Sequence, residues 1–182
     1  MLTALLLALT LSQAPAGSSA GARETAYARI PLARRIAADP QIVAAVVAKN
    51  LVPESADEIH RRDGEWKANP RFALRKQLAG NACADRLREL AGPDTFIVEA
   101  MLMDHRGALV CCTVEAEDYW QGDEPKWAKT YGDGSKVFVD EPTLDTNTDT
   151  YGIQLSVLVS QGDQKIGALT LTLKVPRALA KP

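Results

Sequence analysis

Residues 151–175 read YGIQLSVLVSQGDQKIGALTLTLKV, and their alternation decides the fold. Two long alternating stretches, 151–160 and 165–175, are joined by Gln161, Gly162, Asp163 and Gln164. Side chains of a strand alternate between its faces. Leu169, Leu171 and Leu173 therefore share one face, and Thr170, Thr172 and Lys174 share the other. The pair predicts an antiparallel hairpin. Upstream, 96–103 and 108–114 read as a second hairpin turning at Asp104, His105, Arg106 and Gly107, and 137–140 as a short strand. Residues 142–150 are polar and turn-rich. Between these strands, 118–131 is dense in aromatics and charges. It reads as a loop with a short helix, closed by Gly132, Asp133 and Gly134.

The first half has a helical period. Residues 24–38 carry Tyr27, Ile30, Ala33 and Ala37 at helical spacing, with Pro31 arguing for a kink or a later start. Asp39 and Pro40 are a cap and a first helical position for a second helix that buries Ile42, Val43, Val46 and Val47 and ends near Asn50. Residues 55–68 form a third, with Ser55 and Glu58 at capping-box spacing. Residues 71–90 read as a fourth, with Phe72, Ala79, Cys83, Leu87 and Leu90 on one face. Helices first and an antiparallel sheet of about five strands afterwards make an α+β chain.

Composition narrows the class. The chain has 182 residues, 46% hydrophobic and 24% charged, with a net charge of −2. That suits one globular core and gives no basic face for nucleic acid. Residues 2–11 are apolar and small residues follow, as in a secretory signal peptide cut near Ala16 or Ala20. The run is shorter than the roughly 20 apolar residues a membrane span needs. Export permits disulfides, and Cys83 has two candidate partners in Cys111 and Cys112, which point to opposite strand faces; free buried thiols are the other reading. His60 and His105 sit in separate segments and look solvent-facing. No metal site and no cofactor is expected.

Several strings together resemble a known family. These are Ala38-Asp39-Pro40 with Val43 to Val46 and Asn50; Asp104-x-x-Gly107; Asp118-Tyr119-Trp120-Gln121-Gly122-Asp123-Glu124 with Trp127; and Val137-Phe138-Val139-Asp140-Glu141-Pro142 followed by 153–159 and 166–169. In this order they resemble the single Cache domain, a PAS-like extracytoplasmic sensor module. The resemblance implies a division into a signal peptide (1–20), a helical lead-in (21–92), a PAS-like antiparallel sheet with a pocket loop (93–177) and a tail (178–182). It also implies a small-molecule ligand such as an amino acid, a carboxylate or an amine. The family's arginine before an aromatic pair is replaced here by Glu124-Pro125-Lys126-Trp127-Ala128, so an amino-acid ligand is not supported by motif. Such modules usually precede a membrane helix and an output domain. The sequence runs only from Val175 to Pro182 beyond the last strand, so the expectation is a sensor domain detached from its receptor.

The candidate ligand-binding residues follow. Tyr119, Trp120 and Trp127 wall a pocket, or else plug a loop onto the sheet. Asp123 and Asp140 would receive an ammonium group; Asp123 is alternatively a helix cap. Lys126 is the cation within the loop, either an anion partner or a solvated side chain. Met101, Met103 and Tyr151 lie on strands that floor the pocket, the methionines also fitting plain core. The expected function is an exported stand-alone binding or sensing domain for a small polar metabolite. The alternative is a non-catalytic periplasmic interaction protein that kept the fold without a working pocket, contacting a membrane receptor or dimerising through its N-terminal helices. No nucleophile-and-base arrangement is placed by local sequence, so an enzyme is not expected.

Overall fold

The computed structural model describes residues 19–145 and 150–176. The apolar leader, residues 146–149 and the 178–182 tail lie outside them. Six helices come first: α1 (Ser19–Tyr27), α2 (Ile30–Ala37), α3 (Pro40–Leu51), α4 (Ala56–Ala68), α5 (Ala73–Ala79) and α6 (Ala82–Ala91). Local chemistry sets their borders. Proline has no N–H to give to a preceding turn, so the predicted 24–38 helix divides ahead of Pro31. Asp39 caps α3 by accepting from the N–H groups of Gln41 and Ile42 at 3.0 and 3.4 Å, with Pro40 opening the helix. Ser55 caps α4 through the Glu58 N–H at 3.2 Å. The Glu58 carboxylate accepts from Arg61 and Arg62, so only half of the capping box forms.

The predicted 71–90 helix is instead two helices. α5 stops at Gly80, and Asn81 opens α6 by accepting the Ala84 N–H at 2.9 Å. The Asn81 amide also donates to the Val110 carbonyl at 3.2 Å, so contact with the sheet holds a break that the apolar period passes over.

The strands are β1 (Ile97–Met103), β2 (Leu109–Cys112), β3 (Val137–Val139), β4 (Thr143–Asp145), β5 (Thr150–Gln161) and β6 (Gln164–Pro176). All pairs are antiparallel in the order β2-β1-β6-β5-β3, and β4 pairs further along the same β5 edge as β3. The stretch read as turns at 142–150 thus carries one short strand. The fold is α+β, as the change of period predicts. Between β2 and β3 a short helix α7 (Pro125–Trp127) runs into a π-helical turn (Ala128–Gly132).

Register divides the sheet into cross-strand rows. Ala100, Leu171 and Leu155 form one row, and Leu102, Leu169 and Val157 another. Both bury against Ile36 of α2, Ile42 and Val46 of α3 and Leu87 of α6. Each fully buried Leu or Ile there contributes about 1.5–3 kcal/mol relative to exposure. The intervening rows face the other way and are different in kind: Glu99, Thr172 and Gln154, then Met101, Thr170 and Ser156. Ser156 and Thr170 satisfy each other in the interior through hydroxyls 2.9 Å apart.

Cys111 joins Cys83 in a disulfide with Cα atoms 5.9 Å apart. Cys112, on the opposite face, is free and buried, and burial pushes its thiol up to about 11, which keeps it protonated and unreactive. Among the described residues no helix is long and apolar enough to cross a membrane.

Candidate functional site

The segment following β2 is fastened over the polar rows by α4. Asp63 of α4 is buried, and its Oδ1 accepts the N–H groups of Tyr119 and Trp120 at 3.0 and 3.1 Å. Lys67 holds its other oxygen at 2.6 Å. One turn on, the fully buried Trp66 donates its indole N–H to the Ala116 carbonyl at 3.0 Å. Arg75 covers the Trp66 ring, 4.9 Å from its centroid. Ile59, Asp63 and Trp66 are spaced four and three residues apart, which puts them on one helix face. The hairpin fixes the other end of the segment. Gly107 has φ +81°, and a Cβ there would sit 2.4 Å from the Cα of Gly122, so only glycine lets the two backbones meet. The Gln121 N–H donates to the Gly107 carbonyl at 2.8 Å.

Between this segment and the sheet lies a cleft of about 390 Å³. Its sheet side is Glu99, Met101, Thr172 and Gln154; its other side is Glu115, Ala116, Glu117, Asp118, Gln121, Glu124 and Lys126. The Thr172 hydroxyl donates to Glu99 Oε2 at 2.8 Å. Burial raises the pKa of Glu99 above the usual carboxylate value, and that of Asp118 likewise. Lys126 is 5% exposed, and its ammonium lies 2.7 Å from Glu124 Oε2. Gln121 is 1% exposed. Its amide N–H₂ donates to the main-chain carbonyl of Asp118 at 3.0 Å and also to the Asp118 carboxylate. Those two acceptors fix the orientation of the amide, and its Oε1 accepts nothing from the described residues. A buried acceptor left without a donor costs about 1–3 kcal/mol.

Of the residues singled out from sequence, the structure brings Met101 and Lys126 together at the cleft. Lys126 is buried rather than solvated. Tyr119 is fully buried in the cluster beneath α4, beside Met103 and Trp66. Its hydroxyl donates to Glu54 at 2.6 Å and accepts from Lys49 at 2.9 Å. Burial and Glu54 push the phenol pKa up; burial opposes the charge on Glu54 as well, yet the bonds from Tyr119 and Lys49 hold that carboxyl below its usual value. Trp120 donates its indole N–H to the Arg106 carbonyl and meets the His60 ring edge-on at 4.7 Å. Trp127 donates to the Asp104 carbonyl and stacks on Tyr131 at 5.1 Å. Neither indole borders the cleft. Asp123 is exposed, and α7 has Glu124 rather than Asp123 at its cap position. Asp140 accepts the N–H of Glu141, and Tyr151 packs beside Ile153 and Val175, both away from the cleft. His105 is half-buried against Asn50 rather than free in solvent.

Glu99, Gln121, Gln154 and Thr172 were not anticipated. Thr172 was visible as one of the polar residues alternating with leucines, but nothing local links it to Glu99. The lining holds carboxylates, amides, one hydroxyl and one ammonium. These groups orient a polar guest by hydrogen bonds and charge.

No protein-family model matches the chain, and no curated protein matches it. Among solved structures it is similar to the sensor domain of the V. cholerae histidine kinase DctB, with 11% identity and a TM-score of 0.48 over 86% of this chain and 51% of that one. It is similar to the ligand-binding domain of the Pseudomonas aeruginosa amino acid chemoreceptor PctC in complex with GABA, with 17% identity and a TM-score of 0.44 over 63% and 56%. A third is the ligand-binding domain of the Pseudomonas fluorescens chemoreceptor CtaA in complex with L-valine, with 20% identity and a TM-score of 0.39 over 66% and 63%. The chain spans about half the length of the first two. All three are sensor or ligand-binding domains of other proteins.

Proposed function

We propose that this chain is an exported Cache-type binding domain that takes a small polar metabolite in the cleft between the sheet and the segment that follows β2. The observation that carries the reading is the unequal treatment of the two sheet faces. One face is apolar and filled by helices. The other presents Glu99, Thr172 and Gln154 in one cross-strand row to a cleft of about 390 Å³. The Gln121 oxygen in the same lining has no donor among the described residues. A volume at the lower end of the range for small-molecule sites fits a metabolite. Support for export comes from the leader sequence and from the Cys83–Cys111 disulfide, which belongs in an oxidising compartment.

A thermal-shift screen of amino acids, carboxylates, amines and purines tests the reading. A ligand at a hundred times its Kd adds about 2.7 kcal/mol of stability, a rise of several degrees for a domain of this size. Thr172→Phe, which fills the cleft from its floor, abolishes that rise. If no compound raises the melting temperature, or if Thr172→Phe leaves every rise intact, the cleft is not the binding site.

A further inference from the structure

We infer that the cleft takes a small organic cation, a compound bearing two ammonium or guanidinium groups, with Glu99, Glu117 and Gln121 Oε1 as its acceptors. The inference rests on the reading of the cleft as a ligand site and goes beyond it by fixing the charge of the guest. The carboxylates of the lining divide into two sets. Glu115 has Arg75 at 3.1 Å, Asp118 has Lys67 at 3.7 Å, and Glu124 has Lys126 at 2.7 Å. Glu99 and Glu117 have no basic side chain within 4.0 Å among the described residues. Among the described residues, the Glu99 carboxylate accepts one hydrogen bond, from the Thr172 hydroxyl.

The Gln121 oxygen supplies the second, independent observation. It is buried in the same lining, its amide is oriented by Asp118, and it accepts no hydrogen bond from the described residues. An amide oxygen accepts only, as does an ionised carboxylate. A buried amide oxygen without a donor, a carboxylate with one hydroxyl donor and a carboxylate open to solvent, none of them with a cation of its own, call for a guest rich in N–H and positive in charge. The opposite assignment meets an obstacle. Lys126 is the sole basic residue of the lining and is already matched by Glu124, so a carboxylate guest would enter a site with a surplus of negative charge.

Titration calorimetry on the full chain with 1,4-diaminobutane, agmatine, succinate and glutamate decides the question. At least one of the two amines binds, and Glu99→Gln and Glu117→Gln each weaken it tenfold or more. Glu117 is exposed, so its variant folds as the parent does. Lys126→Met strengthens amine binding several-fold, because it removes the one like charge and releases Glu124. Binding of succinate or glutamate that Lys126→Met abolishes overturns the charge assignment and leaves the cleft standing as a ligand site. Absence of binding by all four probes, with no melting-temperature shift in the wider screen, defeats the cleft reading and this inference together.

Discussion

The two faces of one sheet have been put to different uses. On the helix side, Leu102, Leu155, Leu169 and Leu171 are buried against α2, α3 and α6. On the loop side, strand residues one position away are Glu99, Gln154, Ser156, Thr170 and Thr172. A sheet needs one apolar face to fold, and the second is free to be polar wherever its groups find partners. The comparison teaches that the apolar core and the proposed binding surface are one residue of register apart. Changes on the first face should act on folding, and changes on the second on ligand affinity.

Leu171→Ala should do the greatest damage to stability, about 2–5 kcal/mol by loss of buried methyl groups and the cavity left behind, read by denaturant unfolding. A loss under 1 kcal/mol would break the distinction between the faces. Asp63→Ala comes next, because it strands the Tyr119 and Trp120 N–H groups beneath the loop. A cost of about 1–3 kcal/mol is expected, with faster hydrogen exchange at those two amides in mass spectrometry or NMR.

Asp39 ties α3 to α6 on the helix side, with Arg86 at 2.6 Å. The Arg86 hydrogen bond holds the Asp39 carboxyl below its ordinary pKa. A lowered folded-state pKa gives stability that is present above the unfolded value and lost as the pH falls through the folded one. Asp39→Asn keeps a capping side chain and removes the charge. It should cost about 1 kcal/mol at pH 7, and the difference from the parent should shrink as the pH is lowered toward 3. An undiminished difference at pH 3 would assign the effect to the cap instead. Thr172→Val is the smallest expected stability change, under about 1 kcal/mol, since it keeps the branched strand side chain and removes one hydroxyl bond to Glu99.

Much of the fold was legible because its signals are local. Asp39-Pro40 and Ser55 cap where they stand in sequence, and the leucine–threonine alternation of β6 announces its two faces. The break at Gly80-Asn81 was missed because a bond from Asn81 to Val110, far along the chain, helps hold it. The site was less legible for a related reason. Glu99, Thr172 and Gln154 become neighbours only through the pairing of β1, β6 and β5. The tryptophans drew attention to the loop as aromatic walls, whereas Trp120 and Trp127 give their N–H groups to main-chain carbonyls of the hairpin turn. The third tryptophan, Trp66, lies beneath the segment in a helix whose Ile59, Asp63 and Trp66 spacing was readable in advance.

The most direct measurement is an amide-resolved NMR titration of the full chain with 1,4-diaminobutane. The account predicts saturable shifts concentrated at Glu99, Met101, Ala116, Gln121, Lys126, Gln154 and Thr172, with the amides of α2 and α3 unmoved. Shifts centred on the helix side, or no shifts with either 1,4-diaminobutane or agmatine at millimolar amine, would contradict it.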